Sequence, residues 1–362
     1  MSIRANAQHG IVCALNTPPE NYFGWPSAAR LEDGAIVAGC SGLRRAHICP
    51  YGKSVLFFSR DGGKTFGAPV VAHDDLIDNR DLGIVPLGGQ RFAITWFSLD
   101  MRKWHPEKSL PESDAREAAA YMAGWRDEAV QRLVGSWIKI TQDGGQSWGS
   151  PIRVPVSAPH GFIRLKNGSF GYLGKGFHEG LDAPTGPVQY AQSDDGGLSW
   201  RVLGQVPLSP VEAKAYHEPH VIELASGRLM GAIRYHIQRK DGYGLDTCLS
   251  FSEDGGKSWS TPERLHISGS PPHLLRHSSG AIVLSYGYRE KGYGQRAIIS
   301  RDEGRTWSDE IILRDDGESA DLGYPCTLET DDGSLLTVYY QALPGRKNTS
   351  ILSSRWRLEG LA

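Results

Sequence analysis

The chain has 362 residues and a formal net charge of −2, 39 Lys and Arg against 41 Asp and Glu, which excludes nucleic acid or an anionic membrane as a bulk electrostatic partner. Its five cysteines, Cys13, Cys40, Cys49, Cys248 and Cys326, are odd in number and lack paired metal-ligand spacing, so they read as free thiols of a reducing compartment, with no metal or cofactor expected. The N-terminal run lacks the apolar core of a secretory signal and no segment approaches a membrane span, which makes a cytoplasmic location the expectation.

In chain order, the first apolar piece is Ile11 to Leu15, expected to pair beside the last strand and remove an exposed edge. A unit then runs from Asn21 to Phe66, an apolar run turning at Gly34 and returning. The same pattern recurs with turn glycines at Gly89, Gly168, Gly227, Gly280 and Gly333. Interleaved with it is a second repeat, Ser/Thr-x-Asp-x-Gly-x-Ser/Thr followed by an aromatic, at Ser59 to Phe66, Thr141 to Trp148, Ser193 to Trp200, Ser252 to Trp259 and Ser300 to Trp307. In each, the carboxylate and hydroxyls satisfy turn amides, the glycine takes positive φ, and the aromatic plugs the space between neighbouring units. Fixed-period self-similarity of this kind makes the chain a ring of similar all-β units, one domain over residues 1–362.

One interval is long. Between the hairpin Leu82 to Phe97 and its aspartate repeat lies an insertion at about 106–135, where Asp114 to Glu117 reads as a helix cap and Ala115 to Val134 as one amphipathic helix. Units three to five follow from His160 to Trp200, Glu218 to Trp259 and Pro272 to Trp307. The last hairpin, Tyr324 to Tyr340, lacks the aspartate repeat and is followed by an outer strand, Thr349 to Leu358.

Counting nine residues back from each turn glycine gives Trp25, Arg80, Pro159, Glu218, Pro271 and Tyr324. One step further in lie Pro26, Asp81, His160, Pro219, Pro272 and Pro325. Prolines suit the first residue of a strand, where no ladder donor is needed. Ionisable groups converging from several units on one axis would cost desolvation without a function to explain them.

The Ser-x-Asp-x-Gly-x-Thr-Trp repeats resemble the Asp boxes of the sialidase (neuraminidase) superfamily, a resemblance that covers nearly the whole chain and implies a six-bladed β-propeller, in which the insertion read above falls as one helical insertion in the second blade. It further implies a tyrosine nucleophile activated by a glutamate, three arginines gripping a substrate carboxylate, and an acid/base residue on a first-blade loop. On that resemblance Glu218 is the activating glutamate, Arg234 the second arginine, Arg296 the third, and Tyr324 the nucleophile. The first arginine's position is taken by Gly24 in Phe23-Gly24-Trp25-Pro26, so Arg80, Arg44 or Arg45 stands in for it. His47 falls where the acid/base aspartate belongs, with Asp78 and Asp81 as alternatives. Trp25, Asp81 and His160 complete the expected substrate-binding set.

The reading that follows is an exo-glycoside hydrolase removing a terminal acidic sugar such as sialic acid. Two others fit the same residues: a lyase or rhamnosidase-type enzyme acting at a uronic-acid linkage, since a Tyr/His pair with an arginine suits proton abstraction beside a carboxylate, and a non-catalytic propeller that binds acidic sugars.

Overall fold

Each apolar, turn, apolar run folds as the two inner strands of an antiparallel sheet, and six such sheets stand around one axis in the computed structural model, which describes residues 2–177, 184–239 and 242–360. The architecture is a six-bladed β-propeller. Blade 1 is built from Tyr22–Arg30, Ile36–Arg44, Lys53–Ser59 and Val70–His73; blade 2 from Asp78–Gly88, Arg91–Leu99, Gly135–Thr141 and Ile152–Val154. Apolar side chains fill the gaps between blades, as where Val37, Leu56 and Ile94 meet Leu82, Phe92 and Trp96 between the first two. All five cysteines are unpaired and buried.

Ring closure uses more of the N-terminus than Ile11 to Leu15. Gln8–Cys13 pairs antiparallel with Thr349–Trp356 in blade 6, and Ser2–Arg4 continues to the edge of blade 5, running parallel to Glu310–Arg314. The strands Thr349–Trp356 and Glu310–Arg314 are thereby covered, each by a short N-terminal strand that becomes the outermost of its sheet.

The aspartate repeats cap the far ends of the third strands, on the face away from the openings of the innermost strands. In blade 4, Asp254 accepts from the Ser258 amide (2.9 Å) and hydroxyl (2.7 Å) and from the Ser252 hydroxyl (2.9 Å). These bonds, the one from Ser258 first, hold the carboxyl down at about 2. Trp259 donates its indole N–H to the Gly256 carbonyl and packs at a tilt of 50° against Tyr190 of blade 3, 5.7 Å between ring centroids.

The insertion forms two α-helices rather than one: α1 (Glu112–Ala123) and α2 (Asp127–Leu133), separated at Gly124. Pro111, not Asp114, stands at the N-cap of α1, and no side chain caps it. Met122, Trp125 and Val130 pack onto Ile77, Phe97 and Leu99, while Tyr121 stacks on Tyr51 at 5.5 Å. The insertion therefore lies against blades 1 and 2.

Blade 3 departs from the regular pattern. Its innermost strand is split into Val156–Ser157 and Ile163–Arg164, with His160 and Gly161 in the break. Gly83 of blade 2 approaches so closely that a Cβ there would lie 2.5 Å from the Gly161 nitrogen.

Candidate functional site

Four residues at the opening ends of innermost strands share a left-handed backbone: Trp25 (φ 55°), Asp81 (φ 53°), Glu218 (φ 43°) and Tyr324 (φ 51°). None is glycine, so each such conformation costs on the order of 1–3 kcal/mol and is held by its surroundings. A break in strand register accompanies every one, between Gly24 and Ser27, Arg80 and Gly83, His217 and His220, and Gly323 and Cys326. Such a bulge re-aims one side chain. The four thereby line a single cavity of about 920 Å³ at the mouth of the channel.

Equal counting slips by one residue in blade 2. Ala28 pairs with Ala38 and Ile84 with Ile94, a constant offset of 56 that aligns Trp25 with Asp81 and Gly34 with Gln90 rather than Gly89. The blade-2 turn is a tighter reversal in which Gly88 pairs with Arg91. Arg80 still faces the cavity, its guanidinium 4.0 Å from the Trp25 ring and Nη1 donating to the His47 carbonyl and to Asp78.

The Tyr324 hydroxyl donates to Glu218 Oε1 at 2.5 Å, across 106 residues of sequence. Arg234 Nη1 contacts the other carboxylate oxygen of Glu218 at 2.5 Å and the Tyr324 oxygen at 3.5 Å. Burial pushes the Glu218 carboxyl up, but Arg234 and the tyrosine hydroxyl outweigh it, so Glu218 remains ionised below the usual carboxylate range. Burial and the Glu218 charge both raise Tyr324, and burial together with Glu218 raises Asp81. The site thus holds an ionised base, a phenol that keeps its proton until something takes it, and a neighbouring carboxyl of weakened acidity.

Arg289 also lines the cavity, 5.6 Å from the Tyr324 ring, with Nε and Nη2 out of solvent and without a hydrogen-bond partner among the described residues. It lies just past the second strand of blade 5, Ile282–Tyr288. His47 and Asp321 bond at 2.9 Å, and Tyr22 and Tyr340 both donate to the Asp321 carboxylate. The carboxylate is the stronger acceptor for His47 Nδ1–H, which leaves Nε2 available to the cavity that both residues line. Burial lowers His47 despite Asp321, and His47 with the two tyrosines holds Asp321 low against its own burial. Trp104, 45 % exposed, and Ser109 bring the insertion to the rim, making it a wall of the site.

Four expected binding residues lie elsewhere. Arg44 is fully enclosed and ion-paired with Asp78 at 2.5 Å, so neither reaches the cavity. Arg45 turns outward to Glu117 (2.6 Å) and Asp114 (3.4 Å) on α1. Arg296 sits on the third strand of blade 5, Gly294–Ser300, where Nη1 and Nη2 donate to the Arg314 and Gly292 carbonyls and the guanidinium stacks over Tyr288. His160 is buried deeper in the channel, 4.8 Å ring to ring from His273.

His160, His273 and Cys326 place donor atoms within 4.8 Å of one another, a grouping that spacing along the sequence conceals because it comes from three blades. His273 does not suit a cation as this grouping stands. His220 and His273 accept backbone N–H bonds at Nδ1 from Leu274 (3.0 Å) and Thr327 (3.3 Å), which puts the ring proton on Nε2 in both. Burial drives all three imidazoles down, His220 to about 3, so they remain neutral. Of the three-residue grouping, His273 thus presents an N–H where a metal requires a lone pair, while His160 has neither ring nitrogen hydrogen-bonded among the described residues, and the belt reads as a packed channel floor.

Residues 117–337 match the BNR repeat-like domain family. The chain belongs to that family, as a divergent member of the sialidase superfamily. A sialidase of Clostridium perfringens is 24 % identical over 131 residues, a stretch that spans 33 % of this BNR propeller and about a third, 34 %, of the relative. Among solved structures, a Dyadobacter fermentans protein of unknown function superposes with a TM-score of 0.76 at 23 % identity, over 98 % of both chains. Trypanosoma rangeli sialidase in complex with the inhibitor DANA gives 0.66 at 15 % identity over 99 % of this propeller and 60 % of that chain. The NanB sialidase from Streptococcus pneumoniae gives 0.68 at 13 %, over 97 % and 71 %. At these identities the likeness is one of fold.

Proposed function

We propose that the protein is an exo-acting glycoside hydrolase that removes a terminal acidic sugar with retention of anomeric configuration. The observation that carries the reading is the 2.5 Å contact between the Tyr324 hydroxyl and an ionised Glu218, flanked by Arg234 and Arg289. A neutral phenol approaches an anomeric carbon beside a carboxylate without the repulsion a second carboxylate would meet, and sialidases with a tyrosine nucleophile are the recognised exception to two-carboxylate glycosidases.

In the first step the Tyr324 oxygen bonds to the anomeric carbon while its proton passes to Glu218. The bond to the leaving group breaks, and the departing oxygen takes a proton from the His47 imidazolium, oriented by Asp321. Water then gives a proton to His47 and bonds to the anomeric carbon; the bond to Tyr324 breaks and Glu218 returns the proton to it. Two inversions give net retention. Arg80, Arg234 and Arg289 hold the sugar carboxylate, with the unpartnered Arg289 nitrogens supplying the bidentate grip. Asp81 accepts or donates to a ring hydroxyl.

A screen of fluorogenic glycosides of sialic acid, its deaminated analogue, uronates and rhamnose tests the substrate class, and NMR of the first-formed product tests retention. Turnover of none of them, with binding intact, would leave an acidic-sugar-binding propeller. One observation favours β-elimination as a second reading: burial keeps His47 largely neutral near pH 7, the state of a base rather than an acid. An unsaturated product absorbing in the ultraviolet would identify it.

A further inference from the structure

A second cavity, about 620 Å³, adjoins the first across the insertion, and Ser109 lines both. The partition on the blade-1 side is equally thin: Ala46 lines the second cavity and His47 the first. On the proposed mechanism, on which this inference rests, His47 protonates the departing oxygen, so the leaving group lies on the His47 side. The next sugar of the substrate then falls into this groove.

Its charge is one-sided. Arg45, Arg346 and Lys347 line it against one carboxylate, Asp114. Arg45 is already neutralised, since it pairs with both Asp114 and Glu117. Arg346 Nη1 is sealed from solvent without a hydrogen-bond partner, and neither Arg346 nor Lys347 has a carboxylate partner among the described residues. One guanidinium nitrogen held out of water with a free N–H, on a half-exposed arginine beside the exposed ammonium of Lys347, is a place where an oxyanion would supply the acceptor that is lacking. The apolar body of the groove comes from Leu15, Pro18 and Pro19.

We infer that the groove binds an anionic group on the leaving side of the scissile bond, so that the preferred substrate is a glycan whose penultimate residue is itself acidic or sulfated. The shared chemistry is an oxyanion held by Arg346 and Lys347. A second acidic sugar and a sulfate ester on a neutral sugar are its two sources.

The test uses four substrates with the same acidic sugar at the cleaved end, joined to 4-methylumbelliferone, to a neutral sugar, to a second acidic sugar and to a 6-sulfated neutral sugar. The protein should favour one or both anionic leaving groups over the neutral one, and added salt should erode that preference. Replacing both cations, Arg346→Ala with Lys347→Ala, should lower kcat/KM about tenfold on the favoured anionic substrate and leave the 4-methylumbelliferyl glycoside within about twofold. The acidic-sugar and sulfated arms separate the two sources. Equal losses on all four substrates, or none on any, would overturn the inference. If no glycoside is turned over, the hydrolase reading fails while the groove stays testable by calorimetry with trimeric sialic acid, a sulfated galactose oligomer and a neutral galactose oligomer. Affinity for an anionic oligomer that the double substitution weakens about tenfold supports the groove. Equal affinity for charged and neutral oligomers refutes it.

Discussion

Tyr324 and Glu218 illustrate what a residue can announce by chemistry and what it conceals by geometry. Both were legible as strand-opening residues at a common offset, but the left-handed backbone that aims them inward has no signature in a sequence where neither is glycine. Tyr324→Phe keeps the ring and removes the nucleophilic oxygen; turnover should fall about 10³-fold with folding unchanged, read by kcat and by the melting curve. The arginines show the opposite case. Arg296 precedes an Asp box and attracts attention, yet it stands two strands out from the axis and spends its donors on backbone carbonyls. Arg289 stands in no motif, and only its position at the end of a second strand could have found it. Arg289→Ala should raise KM more than it lowers kcat if the substrate carboxylate is gripped equally before and during reaction.

Protonation at this scale gives a pH profile. On the proposed mechanism the base is Glu218; its folded pKa is depressed, so it is ionised down to low pH and the acid limb lies below the ordinary carboxylate range. The proposed acid, His47, also has its folded pKa depressed by burial, so its protonated fraction is lost as pH rises through a value below the ordinary imidazole range. For a substrate with a poor leaving group, kcat/KM should therefore peak on the acid side of neutral and fall toward pH 7. His47→Ala should cost about 10²-fold or more there, and much less on an aryl glycoside whose leaving oxygen needs no proton. Equal losses on both would remove His47 from the acid role.

Among the elements, the Asp-box loops were the most readable because everything they need lies within eight residues. Their carboxylates bond locally, and the aromatic that follows reaches the neighbouring blade. Trp259→Ala should destabilise by about 3 kcal/mol through the cavity left beside Tyr190, measured by denaturant unfolding, with KM unaffected because the box lies at the opposite end of the blade. The insertion was less readable. Its helical pattern was continuous across Gly124 and Trp125, yet Trp125 packs inward against the blade-2 strands and divides it. Its face toward Arg45 was hidden for the same reason that Arg45 looked available: an ion pair across 72 residues leaves no trace in spacing.

For the whole molecule, the six-fold repetition made a ring of all-β units legible from glycines and aspartates, and the Asp-box resemblance made that ring a propeller, while the split inner strand of blade 3 and the one-residue slip of blade 2 were not legible, since each follows from how neighbouring turns pack. Closure depends on pairing across nearly the full length of the chain. Removing residues 2–13 strips Thr349–Trp356 of its outer partner and uncovers Val12 and Cys13 contacts. The truncated protein should melt at lower temperature and aggregate through the bared edge, seen by calorimetry and light scattering.

That seam also runs through the site. Tyr22 and His47 come from blade 1, while Asp321, Tyr324 and Tyr340 come from the far end of the chain, and they meet only where the first and last blades abut. On a ribosome the earliest strand must wait for the latest one before either has its neighbour, so an interrupted product carries neither a finished perimeter nor an oriented imidazole. On the proposed function, catalytic competence would arrive only with completed synthesis, and a chain terminated before Asp321 and Tyr324 should show no turnover.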